Sequence, residues 1–158
     1  MKVLVASSGT QDDSCDPVAA AASFPWPPGT GIRVITVANT PVPVVVDPIP
    51  VGVDFIDLQS KAKQAAKAIA AESVMKLRSR GLAAEPAVVE GDPATAIADY
   101  AKEWGADLIV VGSHDRSPVE RLLLDSVSQG VVKHASCSVL VVKGSAAATL
   151  TAASRHQG

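Results

Sequence analysis

Aromatic side chains are scarce in this chain of 158 residues, which has two Phe, two Trp and one Tyr, or 3% of the sequence. Even so, 47% of the residues are hydrophobic. The hydrophobic core must therefore be built from Ala, Val, Leu and Ile. With 19% charged residues, this composition is typical of a globular protein rather than a disordered one. The length suits one domain with a substantial core.

A strong net charge and long apolar segments are also missing. The formal net charge is −2 at pH 7, which gives no electrostatic reason to expect binding to nucleic acid or to an anionic membrane. The opening apolar run is too short for a signal peptide, and no run reaches the length of a membrane span. We therefore expect a cytoplasmic protein.

Clusters of reactive side chains are absent from the sequence pattern. The two cysteines, Cys15 and Cys137, have no metal-binding spacing, and we interpret both as reduced thiols of a cytosolic protein. No Ser/His/Asp relay, carboxylate pair or metal cluster is convincingly spaced. The sequence thus predicts neither a bound metal nor a catalytic activity of its own.

Short apolar runs alternate with helical segments along the chain. The predicted strands cover 2–6, 32–37, 86–90, 108–111 and 138–143. The predicted helices cover 18–23, 58–80, 93–104 and 126–134, the first and third preceded by Asp-Pro caps. This β-α-β-α-β-α-β-α-β order predicts a single-domain α/β fold, a doubly wound (Rossmann-like) five-stranded parallel sheet with helices on both faces.

Two segments fit neither a strand nor a helix. Residues 40–54 contain four prolines, which lack the donor that both helices and sheets need. We interpret this segment as a connector packed over the sheet edge, or alternatively as a lid or an interface flap. Residues 144–158 have no clear pattern and are predicted to form a flexible tail.

The loop after the central strand is the candidate site. The apolar run 108–111 ends at Gly112 and is followed by a polar loop that leads into the helix starting at Ser126. In open parallel sheets, ligands bind beyond the carboxyl ends of the strands, next to helix N-termini. This stretch is therefore the part of the chain where a ligand is expected.

Three blocks of sequence resemble the universal stress protein family. They are KVLVASSGT, EGDPATAIADYAKEWGADLIVVGSHDRS and RLLLDSVSQGVVKHASCSVLVVK, which occur in the family's order and spacing within residues 1–143. The resemblance implies a five-stranded α/β domain of a stress-response protein. Together with the lack of a catalytic arrangement, it leads us to expect a non-enzymatic protein that acts through contacts with other, unknown proteins. It also implies a homodimer formed through the last strand, at Val139, Leu140, Val141 and Val142. The apolar character of that strand gives a physical reason for such a contact, since an edge strand needs a partner for its open backbone groups.

The nucleotide-binding branch of that family carries a Gly-x2-Gly-x9-Gly-Ser/Thr pattern and usually an acidic residue after the first strand. Here the first glycine is Gly112, the second falls on Asp115 and the third falls on Asp125. Ser126 follows as the pattern requires, and the acidic position is taken by Ser8. Two of the three glycines of the phosphate loop are therefore replaced by aspartate.

The resemblance still implies where a nucleotide would lie if one were bound. The adenine would lie near the ends of the first two strands, at Ser8, Gly9 and Val37. The phosphates would approach Gly112 and the backbone of Ser126 and Val127.

The two aspartates oppose phosphate binding. Glycines in such loops let backbone N–H groups approach phosphate oxygens and permit positive φ. A carboxylate about 4 Å from a phosphate charge is repelled by about 4 kcal/mol at an effective dielectric of 20, which is roughly a thousandfold in affinity. We therefore expect that ATP binding has been lost and that no cofactor is required.

Three alternatives stay open. Asp125 suits an ordinary helix cap and Asp115 an exposed turn residue. Either carboxylate could instead hold Mg²⁺ that bridges to phosphates, so that ATP is retained and the protein acts as a nucleotide switch. A neutral or cationic ligand in the same cleft would also tolerate both aspartates.

Overall fold

The computed structural model describes residues 1–9, 16–38, 55–113 and 126–143. Within these residues the strands are β1 (Lys2–Ala6), β2 (Gly31–Ala38), β3 (Ala84–Glu90), β4 (Leu108–Gly112) and β5 (Ser138–Val142). The helices are α1 (Pro17–Ser23), α2 (Phe55–Arg78), α3 (Pro93–Trp104) and α4 (Ser126–His134). The predicted Pro-rich segment 40–54, the predicted tail 144–158, Cys15, Asp115 and Asp125 all lie outside the described residues.

The five strands form one sheet in the order β3-β2-β1-β4-β5. Every neighbouring pair is parallel, which confirms the predicted doubly wound α/β fold. The chain passes from β1 outward to β2 and β3, then crosses to the other side of β1 to form β4 and β5. Both β3 and β5 are edge strands.

The side chains of the strands alternate between two cores. Val3, Val5 and Val34 pack with α1 and α2 on one face. Leu4 and Ile35 pack with α3 and α4 on the opposite face. Because both faces are covered by helices, the central strands are apolar at nearly every position.

The predicted helix caps are present. The carboxylate of Asp16 accepts a hydrogen bond of 2.8 Å from the backbone N–H of Val18, and Pro17 is the first residue of α1. Asp92 caps α3 in the same way by accepting from the N–H of Thr95. At the other end of α3, Gly105 has a φ of 75°, the left-handed conformation that ends many helices.

The interpretation of α2 was wrong in part. The helix covers Phe55–Arg78, so it starts three residues earlier and ends two residues earlier than predicted. Helical spacing of apolar residues predicts a buried stripe of Leu58, Ala62, Ala65, Ile69, Val74 and Leu77, but Leu58 and Ala65 are exposed. The prediction considered apolar residues alone, whereas the buried face of α2 includes a serine. That face consists of Ala66, Ala70, Ser73, Val74 and Leu77.

The few aromatic residues of the chain lie mainly at the amino ends of the strands. There the Arg33 guanidinium lies 4.5 Å from the centre of the Trp104 ring and donates a hydrogen bond of 2.9 Å to Tyr100 Oη. On the same ring, Lys2 Nζ lies 5.5 Å from the centre. These contacts join β1, β2 and α3 at the end of the sheet opposite the predicted site.

Gly130 of α4 allows a close contact with α3. A Cβ atom at Gly130 would lie 2.5 Å from the Cβ of Ala94, much closer than two carbon atoms can pack. We expect Gly130→Ala to lower the free energy of unfolding by about 1–3 kcal/mol, as overpacked cores do, although alanine has a higher helix propensity by about 1 kcal/mol. Urea unfolding measures the change.

The matched control for this prediction is the double variant Gly130→Ala/Ala94→Gly. It moves the methyl group from one helix to the other and should recover most of the stability lost by the single variant. A Gly130→Ala protein as stable as the original chain would contradict the packing described above.

Candidate functional site

A cleft opens at the carboxyl ends of the central strands. It lies where the chain's direction of winding reverses, between the ends of β1 and β4, which is where open α/β sheets bind ligands. Its volume is about 490 Å³, within the range of small-molecule sites. The floor is formed by the ends of β1, β2 and β4, including Ser7, Ser8 and Gly112.

The two walls of the cleft come from opposite faces of the sheet. One wall is formed by α2 through Ala62, Ala66 and Ile69. The other is formed by residues of α3 and α4 that include Ile97 and Val127. Among the described residues, no charged side chain lines this cleft, so its walls suit an uncharged, largely apolar part of a ligand.

The residues predicted for the site are distributed unevenly around the cleft. Ser8, Val37, Gly112 and Val127 line it. Ser126 is the exposed first residue of α4. The predictions for Asp115 and Asp125 concern residues outside the described part of the chain and stay predictions.

Gly9 supports the cleft by packing rather than by lining it. Its φ is 72°, and a Cβ atom there would lie 2.7 Å from Ile69 Cδ1. Glycine adopts this positive φ without steric cost, and its missing side chain lets α2 approach the end of β1. Glycine at this position therefore allows Ile69 of α2 to pack directly on the loop that follows β1.

Sequence reasoning missed the hydroxyl groups on the α2 side. Ser7 Oγ and Ser73 Oγ are 3.0 Å apart and share a hydrogen bond. Thr36, which lines the cleft, is 2% exposed. Among the described residues, neither its Oγ1 nor the buried Ser113 Oγ just after β4 has a hydrogen-bond partner. A buried hydroxyl that stays unsatisfied costs about 1–3 kcal/mol. The sequence did contain a signal for Thr36, because this polar residue interrupts the apolar run of β2.

The thiol of Cys137 lies away from the cleft, just before β5. The side chain is half-buried rather than fully buried, and it packs against the core between the sheet and α3 and α4. Burial raises the pKa of this thiol, and the negative charge of Asp107 adds to the effect. A raised pKa lowers the thiolate fraction at neutral pH, so this position is not activated for redox chemistry.

The described residues contain no group of three or more His, Cys, Asp or Glu side chains arranged to hold a metal ion. Among these residues, no helix is both long enough and apolar enough to cross a membrane.

The cap of α3 lies at the rim of the cleft, since Pro93 lines it directly after Asp92. The backbone N–H and the hydroxyl of Thr95 both donate to the Asp92 carboxylate and lower its pKa below the usual value. A lowered pKa in the folded state means that the carboxylate stabilises the fold above about pH 4, its unfolded pKa. That contribution is lost as the pH falls through the lower, folded value.

We expect Asp92→Asn to show this dependence, because asparagine can cap the helix but does not titrate. The original chain should have the higher urea midpoint at pH 7, and the difference should shrink at pH 3. Asp99→Asn, an exposed change in the middle of the same helix, controls for the loss of one negative charge. A difference between the original chain and Asp92→Asn that stays constant with pH would contradict the prediction.

Comparison with known proteins gives a consistent result. The model of the universal stress protein family matches residues 1–143. A universal stress protein of Methanocaldococcus jannaschii, MJ0531, is 48% identical over 56 residues, which are 35% of this chain and 33% of that protein. Universal stress protein YxiE of Bacillus subtilis is 37% identical over 90 residues, which are 56% of this chain and 61% of YxiE. The matched stretches thus span between a third and three fifths of the length of these relatives.

Solved structures match over most of the chain. A universal stress protein from Archaeoglobus fulgidus has a TM-score of 0.70 at 23% identity, covering 90% of this chain and 98% of that one. A universal stress protein family protein from Arabidopsis thaliana, solved with AMP bound, has a TM-score of 0.63 at 25% identity and covers 90% of this chain and 91% of its own. These neighbours share the five-stranded fold described above.

Proposed function

Because this chain belongs to the universal stress protein family, we propose that it is a non-enzymatic stress-response protein that acts through protein contacts as a homodimer. In this proposal its cleft keeps the part of a nucleotide site that holds the nucleoside but has lost ATP binding. The observation that carries the proposal is the uncharged lining of the cleft among the described residues, combined with aspartate at two glycine positions of the phosphate loop.

The nucleoside part is supported by the geometry of the cleft. Its walls are apolar and its volume of about 490 Å³ suits a ligand of that size. Val37 and Ser8, which the family pattern places near the adenine, both line it. The Arabidopsis protein with AMP bound supports the same kind of ligand for this chain.

The loss of ATP binding is supported by the balance of charge. A polyphosphate carries several negative charges that lose hydration on binding, which costs many kcal/mol unless cations or hydrogen bonds replace the water. The described lining offers no cation, and each of Asp115 and Asp125 would add about 4 kcal/mol of repulsion to a phosphate charge about 4 Å away. AMP, with one phosphate, should suffer less than ATP, and adenosine should not suffer at all.

Calorimetric titration with adenosine, AMP and ATP tests this proposal. We expect the original chain to bind adenosine, to bind AMP more weakly and to show no measurable binding of ATP. The double variant Asp115→Gly/Asp125→Gly should bind ATP at least tenfold more tightly than the original chain, with its affinity for adenosine unchanged.

Asp115→Asn/Asp125→Asn is the matched control, because it removes both charges and keeps side chains of the same size. A gain with glycine but not with asparagine would assign the effect to space and backbone freedom rather than to charge. Micromolar binding of ATP by the original chain would overturn the loss of ATP binding.

The second candidate function is a nucleotide switch that retains ATP. It is favoured by Ser126, which matches the last position of the family's pattern and starts α4, where backbone N–H groups can bind phosphate. ATP binding that appears only with Mg²⁺ in the same titrations would support this candidate, with the aspartates as metal ligands.

The homodimer is proposed to form through β5. This strand pairs with β4 on one side and is the last strand of the sheet. Val139, Leu140, Val141 and Val142 are only half-buried in the single chain. An apolar edge strand is stabilised by pairing with a second copy, which covers its side chains and its open backbone groups.

Val141→Lys tests the dimer, since it adds a charge to the proposed contact. We expect this variant to sediment as a monomer while the original chain sediments as a dimer. Val89→Lys, on the opposite edge strand β3, is the matched control because Val89 is also half-buried and packs on the same face of the sheet. Equal effects of the two substitutions on the mass in solution would argue against β5 as the interface.

A further inference from the structure

The chain leaves the sheet beside the cleft. Val142, the last residue of β5, is the register partner of Gly112, and Gly112 lines the cleft. The Ser113 N–H donates a hydrogen bond of 2.9 Å to the Val142 carbonyl, so β4 and β5 stay paired up to the point where β5 ends. Neighbouring strands lie about 4.8 Å apart. The residues after Lys143 therefore begin about one strand spacing from the floor of the cleft.

The segment that follows has a composition that matches the lining of the cleft. Residues 144–158 are the predicted tail, and its stretch from Gly144 to Ser154 contains no charged side chain. Alanine is the most frequent residue in this stretch, and Leu150 is its one large apolar side chain. The described lining of the cleft is likewise uncharged and includes several alanines. The two surfaces can therefore meet without burying an ionic group, which would be costly.

We infer that residues 144–154 occupy the cleft of their own chain, with the Leu150 side chain as the anchor, and so compete with small ligands for it. This inference goes beyond the proposed function, since it concerns the ligand-free protein and holds for any ligand of the cleft. The apolar wall formed by Ala62, Ala66 and Ile69 is the counterpart for Leu150. Removing these apolar surfaces from water is the driving force.

The length of the segment is sufficient for this contact. Leu150 is seven residues beyond Lys143, and an extended chain covers about 3.3 Å per residue, so its reach is roughly 23 Å. The cleft lies between the ends of β1 and β4, which is about one or two strand spacings of 4.8 Å from β5. Gly144 and Ser145 suit the change of direction that the path requires. A segment tethered this closely has an effective concentration of about a millimolar, so a weak contact is enough to fill the cleft.

Amide NMR of the ligand-free, full-length chain tests the inference. Leu150→Asp places a charge on the anchor, so the signals of cleft residues such as Ile69 and Gly112 should shift. The signal of Trp104, at the opposite end of the sheet, should stay in place and shows that the variant is folded. Leu150→Met keeps an apolar side chain and should leave the cleft signals where the original chain has them. Gln157→Asp is the matched control, because it adds the same charge beyond the uncharged stretch.

Calorimetric titration with adenosine measures the competition. A cleft that is open for only a fraction of the time has its apparent affinity reduced by that fraction. Leu150→Asp should therefore bind adenosine about three- to tenfold more tightly than the original chain, and Gln157→Asp should bind it as the original chain does. This second readout depends on the proposed function, whereas the NMR readout does not.

The outcomes separate the inference from the proposed function. Cleft signals that stay unchanged in Leu150→Asp, or that shift equally in Gln157→Asp, would overturn the inference and leave the proposed function standing. Cleft signals of the original chain that change with protein concentration would assign the occupant to a second copy and overturn it as well. If the cleft signals shift as expected but no variant binds adenosine or AMP, the inference stands and the proposed function fails.

Discussion

The parallel pairing of β1 with both of its neighbours is the constraint on which the rest of the structure depends. Val3, Leu4 and Val5 have no exposed surface, because β2 and β4 flank them and helices cover both faces of the sheet. The chain can satisfy both pairings only by winding first to one side of β1 and then to the other. That reversal places α1 and α2 on one face and α3 and α4 on the opposite face. Beyond the carboxyl end of β1 the two helix layers leave a cleft between them.

The two ends of the sheet therefore have different roles. At the amino end, the Lys2 N–H donates a hydrogen bond of 2.7 Å to Asp107 Oδ2, while cationic side chains pack on Trp104. These contacts fill the amino end of the sheet with bulky side chains, which are rare in the rest of the chain. At the carboxyl end the described residues that line the cleft are small or aliphatic, with Ala the most frequent and no aromatic side chain among them, so the same sheet has room there for a ligand.

Much of the fold could be predicted because its signals are local. Continuous apolar runs indicate strands buried on both faces, and the Asp-Pro pairs at Asp16 and Asp92 mark helix starts that the structure confirms. The buried face of α2 could not be traced in the same way. Ser73 enters it through a hydrogen bond to Ser7, which lies 66 residues away in the sequence. Apolar periodicity carries no information about such a partner.

The family pattern describes one side of the cleft. Ser8, Val37, Gly112 and Val127, which that pattern names, line the cleft, and their role in binding stays a prediction. The α2 wall was missed because its position above β1 and β2 depends on tertiary packing, including the close approach of Ile69 to Gly9. Thr36 is a polar residue inside the apolar run of β2, so the sequence contained a signal for it, but a strand covered on both faces does not reveal from sequence which of its residues border a cleft.

The uncharged walls of the cleft and the aspartates of the neighbouring loop favour different chemical groups, and this difference bears on what kind of ligand suits the cleft. The described lining of the cleft carries no charged side chain, and neutral groups form hydrogen bonds worth only about 1 kcal/mol each, which is small beside the cost of dehydrating several phosphate charges. Backbone N–H groups at the start of α4 are the usual counterpart for phosphate, yet two carboxylates in the preceding loop would act against the same charge. Under the proposed function, a nucleoside suits the apolar walls of the cleft without carrying charge past that loop. A nucleoside triphosphate would suit it only if a divalent cation changed the sign of the interaction with the aspartates.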